Sequence, residues 1–353
     1  MRPPGPMFLQ RSKKEKSKAK KKTFDKVEKK KLLSLGKEMK KRIVGQDEPV
    51  DLIVDAVQRA KAGLRLEDHP IGSFIFTGET GIGKTETAKV LAEELIGERA
   101  GLISIDCSEY TQDHEYAKLI GSPPGYVGHD DGGVLTNAMM SQPFRIVLFD
   151  EFDKASNKMY DLMLQVLDEG RLTDGKGKKV SFKDAIVIFT ANLGVREIER
   201  AKKPLGFQQD PTFTEEKKRN ALETALKRTF RPEFLNRIDN IVHFKTLTEE
   251  NYYDIIDLLF NDVQKLLDKK KIILKTAKSI KKHIYEEGID TKYGARPLER
   301  AIKKIVSTPL ARKIIKDDVK NGATVLVKHE KGEVKFNITN PKKKKEKKDE
   351  KND

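Results

Sequence analysis

The chain has 353 residues, 36% of them charged and 37% hydrophobic, which is enough apolar content for a folded core and excludes a wholly disordered polymer. Its net charge of +16 sits mainly at the ends: residues 1–31 carry 13 Lys/Arg against 3 Asp/Glu, and residues 341–353 carry 7 against 4, so the charge does not imply a basic nucleic-acid-binding fold. The lone Cys107 excludes an internal disulfide, the six His residues show no i, i+4 pair for zinc, and the longest apolar run, Ala185–Phe189, is too short for a membrane helix.

In chain order, residues 1–31 read as a solvated basic arm, because like charges repel at that density and few apolar residues offset the ordering entropy. A contact to an acidic partner or to nucleic acid is the alternative use of such an arm. Only Met7–Leu9 are apolar before the lysines begin, so no signal or transit peptide is expected, and the cytoplasm is the expected compartment, with the plastid stroma as alternative. Val50, Ile53, Val57, Ala60 and Leu64 recur at helical spacing and predict a helix over 49–64. Short apolar runs follow at Phe74–Phe76, Leu102–Ile105, Ile146–Phe149 and Ala185–Phe189, with helical stretches between them, notably 84–96 and 158–169. That alternation predicts an α/β fold with a parallel sheet covered on both faces, and Asn240–Phe244 supplies a fifth strand. After Thr246 the pattern turns helical, over 248–268, 276–287 and 296–315, and closes with strands Thr324–Lys328 and Glu333–Ile338. The expected organisation is a basic arm (1–36), a large α/β domain (37–246), a smaller α+β domain (247–339) and a basic tail (340–353). Cys107 and the methionines Met139, Met140, Met159 and Met163 are expected as core or interface filler.

Gly78-Glu79-Thr80-Gly81-Ile82-Gly83-Lys84-Thr85 fits the phosphate-binding loop pattern, with an apolar strand before it and an amphipathic helix after it. The glycines allow a tight loop whose N–H groups face phosphate oxygens, and the helix N-terminus adds a favourable dipole. Lys84 is placed to neutralise the β- and γ-phosphates of ATP, and Thr85 to ligate Mg²⁺. Ile146–Phe149 runs into Asp150 and Glu151, which suits a metal-shell carboxylate followed by a water-activating one. Asn192 lies just past the strand Ile186–Ala191, where a polar side chain can meet the γ-phosphate or the water.

These three elements, in this order, resemble the AAA+ ATPases. Val44-Gly45-Gln46-Asp47-Glu48, Gly121–Gly128, Asp168–Gly175, Phe230–Asp239 and Tyr293–Leu298 further resemble the second ATPase module of the Clp unfoldases ClpA, ClpB and ClpC, most of all ClpC, over about 40–338. The resemblance implies a P-loop AAA+ five-stranded parallel sheet with a small C-terminal domain. It also implies that Val44 touches the adenine, that Arg237 is an arginine finger acting on the neighbouring subunit's ATP in a homo-hexameric ring, and that Arg296 is the sensor arginine of the small domain. Tyr126 and Val127 match the pore loop that grips unfolded or tagged protein substrates. Leu205-Gly206-Phe207 matches the tripeptide that docks on a ClpP-type peptidase, the alternative being a loop hydrophobe folded back on its domain.

Clp proteins usually carry an N-terminal domain and a first ATPase ring, which are not seen here, so a single-ring enzyme or a companion chain with the other half is expected. The favoured reading is an ATP-dependent unfoldase feeding a peptidase. The rivals are a ClpB-like disaggregase, a non-catalytic ring subunit and a nucleic-acid-stimulated motor, with neither membrane nor nucleic acid expected as partner.

Overall fold

The structure is a computed structural model and describes residues 23–97, 101–122, 125, 132–193, 215–289 and 294–341. Tyr126 and Val127, Leu205–Phe207 and most of the two basic tails lie outside these residues.

Five strands, β1 (Gly72–Thr77), β2 (Leu102–Asp106), β3 (Arg145–Asp150), β6 (Ala185–Ala191) and β7 (Asn240–His243), form one parallel sheet in the order β2-β3-β6-β1-β7. All the pairings are parallel, with Ile75 opposite Phe189 and Phe149 opposite Phe189 in register. Every residue of β1 and β6 is buried. Such continuous apolar strands need helices on both faces, and the side chains divide accordingly. Phe74, Phe76, Leu148 and Ile188 join one core with α1 (Lys29–Lys40), α2 (Asp47–Lys61) and α3 (Lys84–Ile96). Ile75, Val147, Phe149 and Phe189 join the other, with α4 (Val134–Ser141) and α5 (Asn157–Glu169). On that second face Phe149, Phe152, Tyr160, Phe189, Phe230 and Phe234 form one aromatic cluster, with ring centroids 4.6 to 6.4 Å apart. Offset and edge contacts of this kind fix ring positions, and here they brace the loop after β3. Cys107, Met139, Met159 and Met163 are buried in the same core, and burial pushes the Cys107 thiol up.

The basic arm needs correction. Residues 29–36 belong to α1 rather than to a solvated segment, and Phe24, Leu32, Leu35 and Met39 are buried in the first core. The ring of Phe24 lies 5.5 Å from that of Phe144, and Lys61 donates to the Phe24 and Asp25 carbonyls at 2.9 and 2.7 Å. The apolar residues recur at i, i+3 and i+7, so one stripe is buried while the lysines stay in water. Charge density alone hid that stripe.

Two short strands, β4 (Arg171–Thr173) and β5 (Lys179–Ser181), form a separate antiparallel hairpin, and α6 (Glu215–Thr229) leads to the turn before β7. The smaller domain holds α7 (Glu249–Asp268), β8 (Ile273–Thr276), α8 (Lys278–Gly288), α9 (Arg296–Ile302), α10 (Thr308–Ile315), β9 (Thr324–Glu330) and β10 (Glu333–Thr339). Its sheet has three strands in the order β10-β9-β8, one more than the sequence pattern predicts. The predicted helix over 296–315 is interrupted by a π-helical turn at Lys303–Ser307. Pro309 follows two residues later and has no N–H for a helical bond, so the ladder widens ahead of it.

If α1 is an integral part of the domain, Leu35→Ala should lower stability by about 2–5 kcal/mol in urea unfolding. A loss below about 0.5 kcal/mol would return this segment to the arm.

Candidate functional site: a phosphate loop facing two carboxylates and a small-domain helix

The strand order decides what meets. β3, β6 and β1 are neighbours, so the residues past their carboxyl ends converge: Asp150 and Glu151 from β3, Asn192 from β6, and the loop 78–83 from β1. The loop turns on glycines in left-handed conformations. At Gly78, with φ of 136°, a Cβ would come within 2.6 Å of the Ile82 side chain and 3.0 Å of the Phe244 carbonyl oxygen, so a larger residue would push the loop off the sheet.

Lys84 opens α3 and is only 6% exposed. Its Nζ donates to the carbonyls of Gly78 and Glu79, both at 2.6 Å, and to Asn192 Oδ1 at 3.1 Å. All three ammonium donors are thereby used. Desolvation pushes its pKa down to about 8, against the opposing pull of Asp150 and Asp153. Thr85 Oγ1 donates to Asp150 Oδ2 at 3.1 Å. The two hard oxygens of this pair meet at one point, which fits a cation completed by phosphate and water.

Asn192 is the middle of a relay. Its amide Nδ2 donates to Glu151 Oε1 at 3.3 Å while its Oδ1 accepts from Lys84. Glu151 itself sits at φ 55°, a left-handed conformation uncommon for a non-glycine residue and often found at functional sites. Thr190 ties its backbone to the Asp150 carboxylate. The Thr190 hydroxyl accepts from the Glu151 N–H at 2.9 Å and donates to Asp150 Oδ1 at 2.5 Å. Asp153 lies beside this group, where burial raises its carboxyl above the ordinary range and the Asn192 N–H opposes the rise.

Sequence reading missed Thr190, Asp153 and Lys154, as well as Gln46 for its contacts. Gln46 is fully buried; it donates to the Lys245 carbonyl at 2.8 Å and accepts from the Lys245 N–H at 2.9 Å, tying the segment after Val44 to the segment after β7. Threonine inside an apolar strand gives no sequence signal of its own. Its period-2 position beside Asp150 appears only once β3 and β6 are known to be adjacent.

The small domain reaches the same loop. The Ala295 N–H donates to the Gly81 carbonyl at 3.1 Å, and Gly294, at φ 58°, packs so closely that a Cβ would lie 2.7 Å from the Thr80 oxygen. Arg296, the first residue of α9, is near enough for its charge to act on Lys84. Val44 is half-buried in the turn before α2. Arg237 is not joined to this cluster: its guanidinium pairs with Asp168 and donates to the Glu233 carbonyl at 2.8 Å.

The described residues on either side of the segment that contains Tyr126 and Val127 lie close together. Gly121 and Gly133 pass so closely that a Cβ on Gly133 would lie 2.1 Å from the Leu119 oxygen, and the Gly175 N–H of the β4–β5 hairpin donates to the Ile120 carbonyl at 2.9 Å.

Comparison with known proteins agrees with this geometry. Residues 69–241 match the family "AAA domain (Cdc48 subfamily)", and residues 247–327 match the "C-terminal, D2-small domain, of ClpB protein". Chaperone protein ClpB of Clostridium tetani is 45% identical over 298 residues, covering 84% of this chain and 34% of that protein. The negative regulator of genetic competence ClpC/MecB of Bacillus subtilis is 42% identical over 304 residues, covering 86% and 37%. The ATP-dependent Clp protease ATP-binding subunit ClpA homolog of Pyropia yezoensis is 41% identical over 305 residues, covering 86% and 37%. These identities do not rank ClpC above ClpB. The chain spans about a third of the length of the curated relatives it matches. With the phosphate loop, the paired carboxylates and the small-domain helix on one point of the sheet, this chain belongs to the Clp family of AAA+ ATPases, in the manner of their second ATPase module.

Proposed function

We propose that this ATPase works as a protein unfoldase that assembles as a homo-hexameric ring, threads unfolded or tagged chains through it and delivers them to a ClpP-type peptidase. The observation that carries the reading is the unbroken relay from Lys84 through Asn192 to Glu151, a set that a non-catalytic ring subunit would have no need to keep in register.

In this reading Lys84 meets the β- and γ-phosphates, and Arg296 reports them to the small domain. Thr85 and Asp150 would hold Mg²⁺, which supplies charge neutralisation on the phosphates. Glu151 orients the attacking water and Asn192 fixes that carboxylate. Gly78–Thr85 cradle the phosphates, Val44 borders the adenine, and Arg237 acts in trans on the next subunit's nucleotide. Its exposed pairing with Asp168 leaves it accessible for that role. Tyr126 and Val127 are proposed to grip substrate, and Leu205–Phe207 to dock the peptidase. Among the described residues no helix is long and apolar enough to cross a membrane. The cytoplasm is the proposed compartment and the plastid stroma the alternative, one relative being the chloroplastic ClpC1 of Arabidopsis thaliana.

A second reading, a disaggregase without a peptidase, is favoured by the 45% identity to a chaperone ClpB. ATP-dependent degradation of a stably folded, tagged substrate with a co-occurring ClpP-type peptidase separates the two. Loss of degradation on deleting Leu205–Phe207, with ATP turnover intact, supports the first reading. ATP-dependent loss of substrate structure without degradation supports the second, and turnover stimulated by DNA or RNA but not by unfolded protein defeats both.

Glu151→Gln should lower kcat by about 10²- to 10⁴-fold while nucleotide still binds. Retention of more than about a tenth of the turnover would remove Glu151 from the assigned role.

The lowered pKa of Lys84 also gives a pH dependence. Phosphate oxygens favour the ammonium form and so raise its pKa in the complex. ATP affinity of the Glu151→Gln protein should therefore hold below about pH 8 and fall above it, approaching tenfold per pH unit. Calorimetry at pH 8.5 in two buffers of different ionisation enthalpy should report proton uptake on binding. Binding with no proton exchange would show that Lys84 stays fully charged in the free site.

A further inference from the structure

Lys154 was not expected at the site, yet it touches the carboxylate assigned to water activation. Its Nζ lies 2.5 Å from Glu151 Oε2, while Asn192 Nδ2 lies 3.3 Å from Oε1, so protein donors hold both oxygens. The contact is local and built into the backbone. Residues 152–154 form a single 3₁₀ turn, and the Lys154 N–H donates to the Glu151 carbonyl at 2.9 Å. The left-handed backbone at Glu151 starts that turn.

Three features make this pair reversible. The side chains are 51% and 29% exposed, and ion pairs in water-accessible positions are weak. The ammonium also lies in the field of other carboxylates, since Asp153 and Asp106 act on its charge in the same sense as Glu151. Asp106 ends β2 directly in register with Asp150, the residue before Glu151. Lys154 can therefore leave Glu151 without leaving acidic surroundings.

We propose that Lys154 is a latch on Glu151, holding the carboxylate in an ion pair that withholds it from the attacking water until the lysine swings toward Asp106. Lys154 is then a positioning residue, acting through Glu151 rather than on substrate. The idea rests on the reading of Glu151 as the water-activating group. While the pair is closed, the ammonium neutralises the charge that would polarise water. When it opens, Glu151 keeps only the Asn192 bond, which orients it without cancelling its charge.

The test is basal ATP turnover by the full chain in its assembled form, comparing wild type, Lys154→Met, Lys154→Arg and Glu151→Gln. Lys154→Met should raise basal kcat by about two- to fivefold, the range that a weak ion pair permits, with KM for ATP changed by less than about twofold. Lys154→Arg keeps the charge and should behave like wild type. Raising ionic strength to about 0.5 M should screen the wild-type pair and narrow the gap to Lys154→Met, a response that a purely structural lysine would not give. Lys154→Gln serves as the second variant should the methionine form fold poorly. A kcat that is unchanged or lower in a folded Lys154 variant, with Glu151→Gln inactive, overturns the latch alone. Turnover that survives Glu151→Gln overturns the reading of Glu151, and the latch with it.

Discussion

A buried ammonium is the constraint around which the site is organised. Taking a charged group out of water costs on the order of several kcal/mol even after relaxation, and Lys84 is almost wholly out of water. The chain meets that cost with two loop carbonyls and one amide oxygen, and with the fields of Asp150 and Asp153. Neutral acceptors only partly replace hydration, so the lysine remains easier to deprotonate than in water. Phosphate oxygens are stronger partners than any of the three it uses here. Affinity for a polyanion follows from leaving the protein's own compensation incomplete.

Holding Lys84 in that position depends on strand order. Asn192 can reach both Lys84 and Glu151 only because β6 lies between β1 and β3. Thr190 can pin Asp150 and the Glu151 backbone together for the same reason. The aromatic cluster below these strand ends then fixes their height. Phe152 follows Glu151 directly and packs 4.6 Å from Phe189 and 5.2 Å from Phe234, so the loop carrying the carboxylate proposed to activate water is anchored by its next residue. Phe234 in turn belongs to the short helix before Arg237. One apolar cluster thereby sets the positions of both the carboxylate and the arginine assigned to act in trans.

What could be read from the amino acids alone follows from how local each signal is. Strands β1, β3 and β6 are continuous apolar runs, and the phosphate loop is a contiguous string, so both were legible. The predicted start of α3 at residue 84 and end at 96 coincide with the structure because Gly83 and Gly97 flank it. The short strand β8 was missed because four residues with only two apolar positions carry too little pattern, and its place is set by pairing with β9. α1 was missed for the opposite reason, since its charge is conspicuous while its buried stripe of Leu32, Leu35 and Met39 is sparse. Thr190, Asp153 and Lys154 join the site only through neighbours on other strands or through an unusual backbone angle at Glu151, and neither is encoded in a short window.

The small domain is in direct contact with the phosphate loop. Gly294 and Ala295 pack on the carbonyl side of residues 80 and 81, on the same loop whose carbonyls at 78 and 79 hold Lys84. A phosphate that draws Lys84 away from those two carbonyls alters the hydrogen bonding of a four-residue stretch that the small domain grips at its other end. The left-handed glycine at 294 allows that approach, and a side chain there would hold the two domains apart. Arg296 begins the helix immediately after this contact, so a shift of the loop and a new charge near Lys84 reach α9 together. In the proposed cycle the tight loop and the start of α9 are the path by which a shift at the lysine would be carried into the domain.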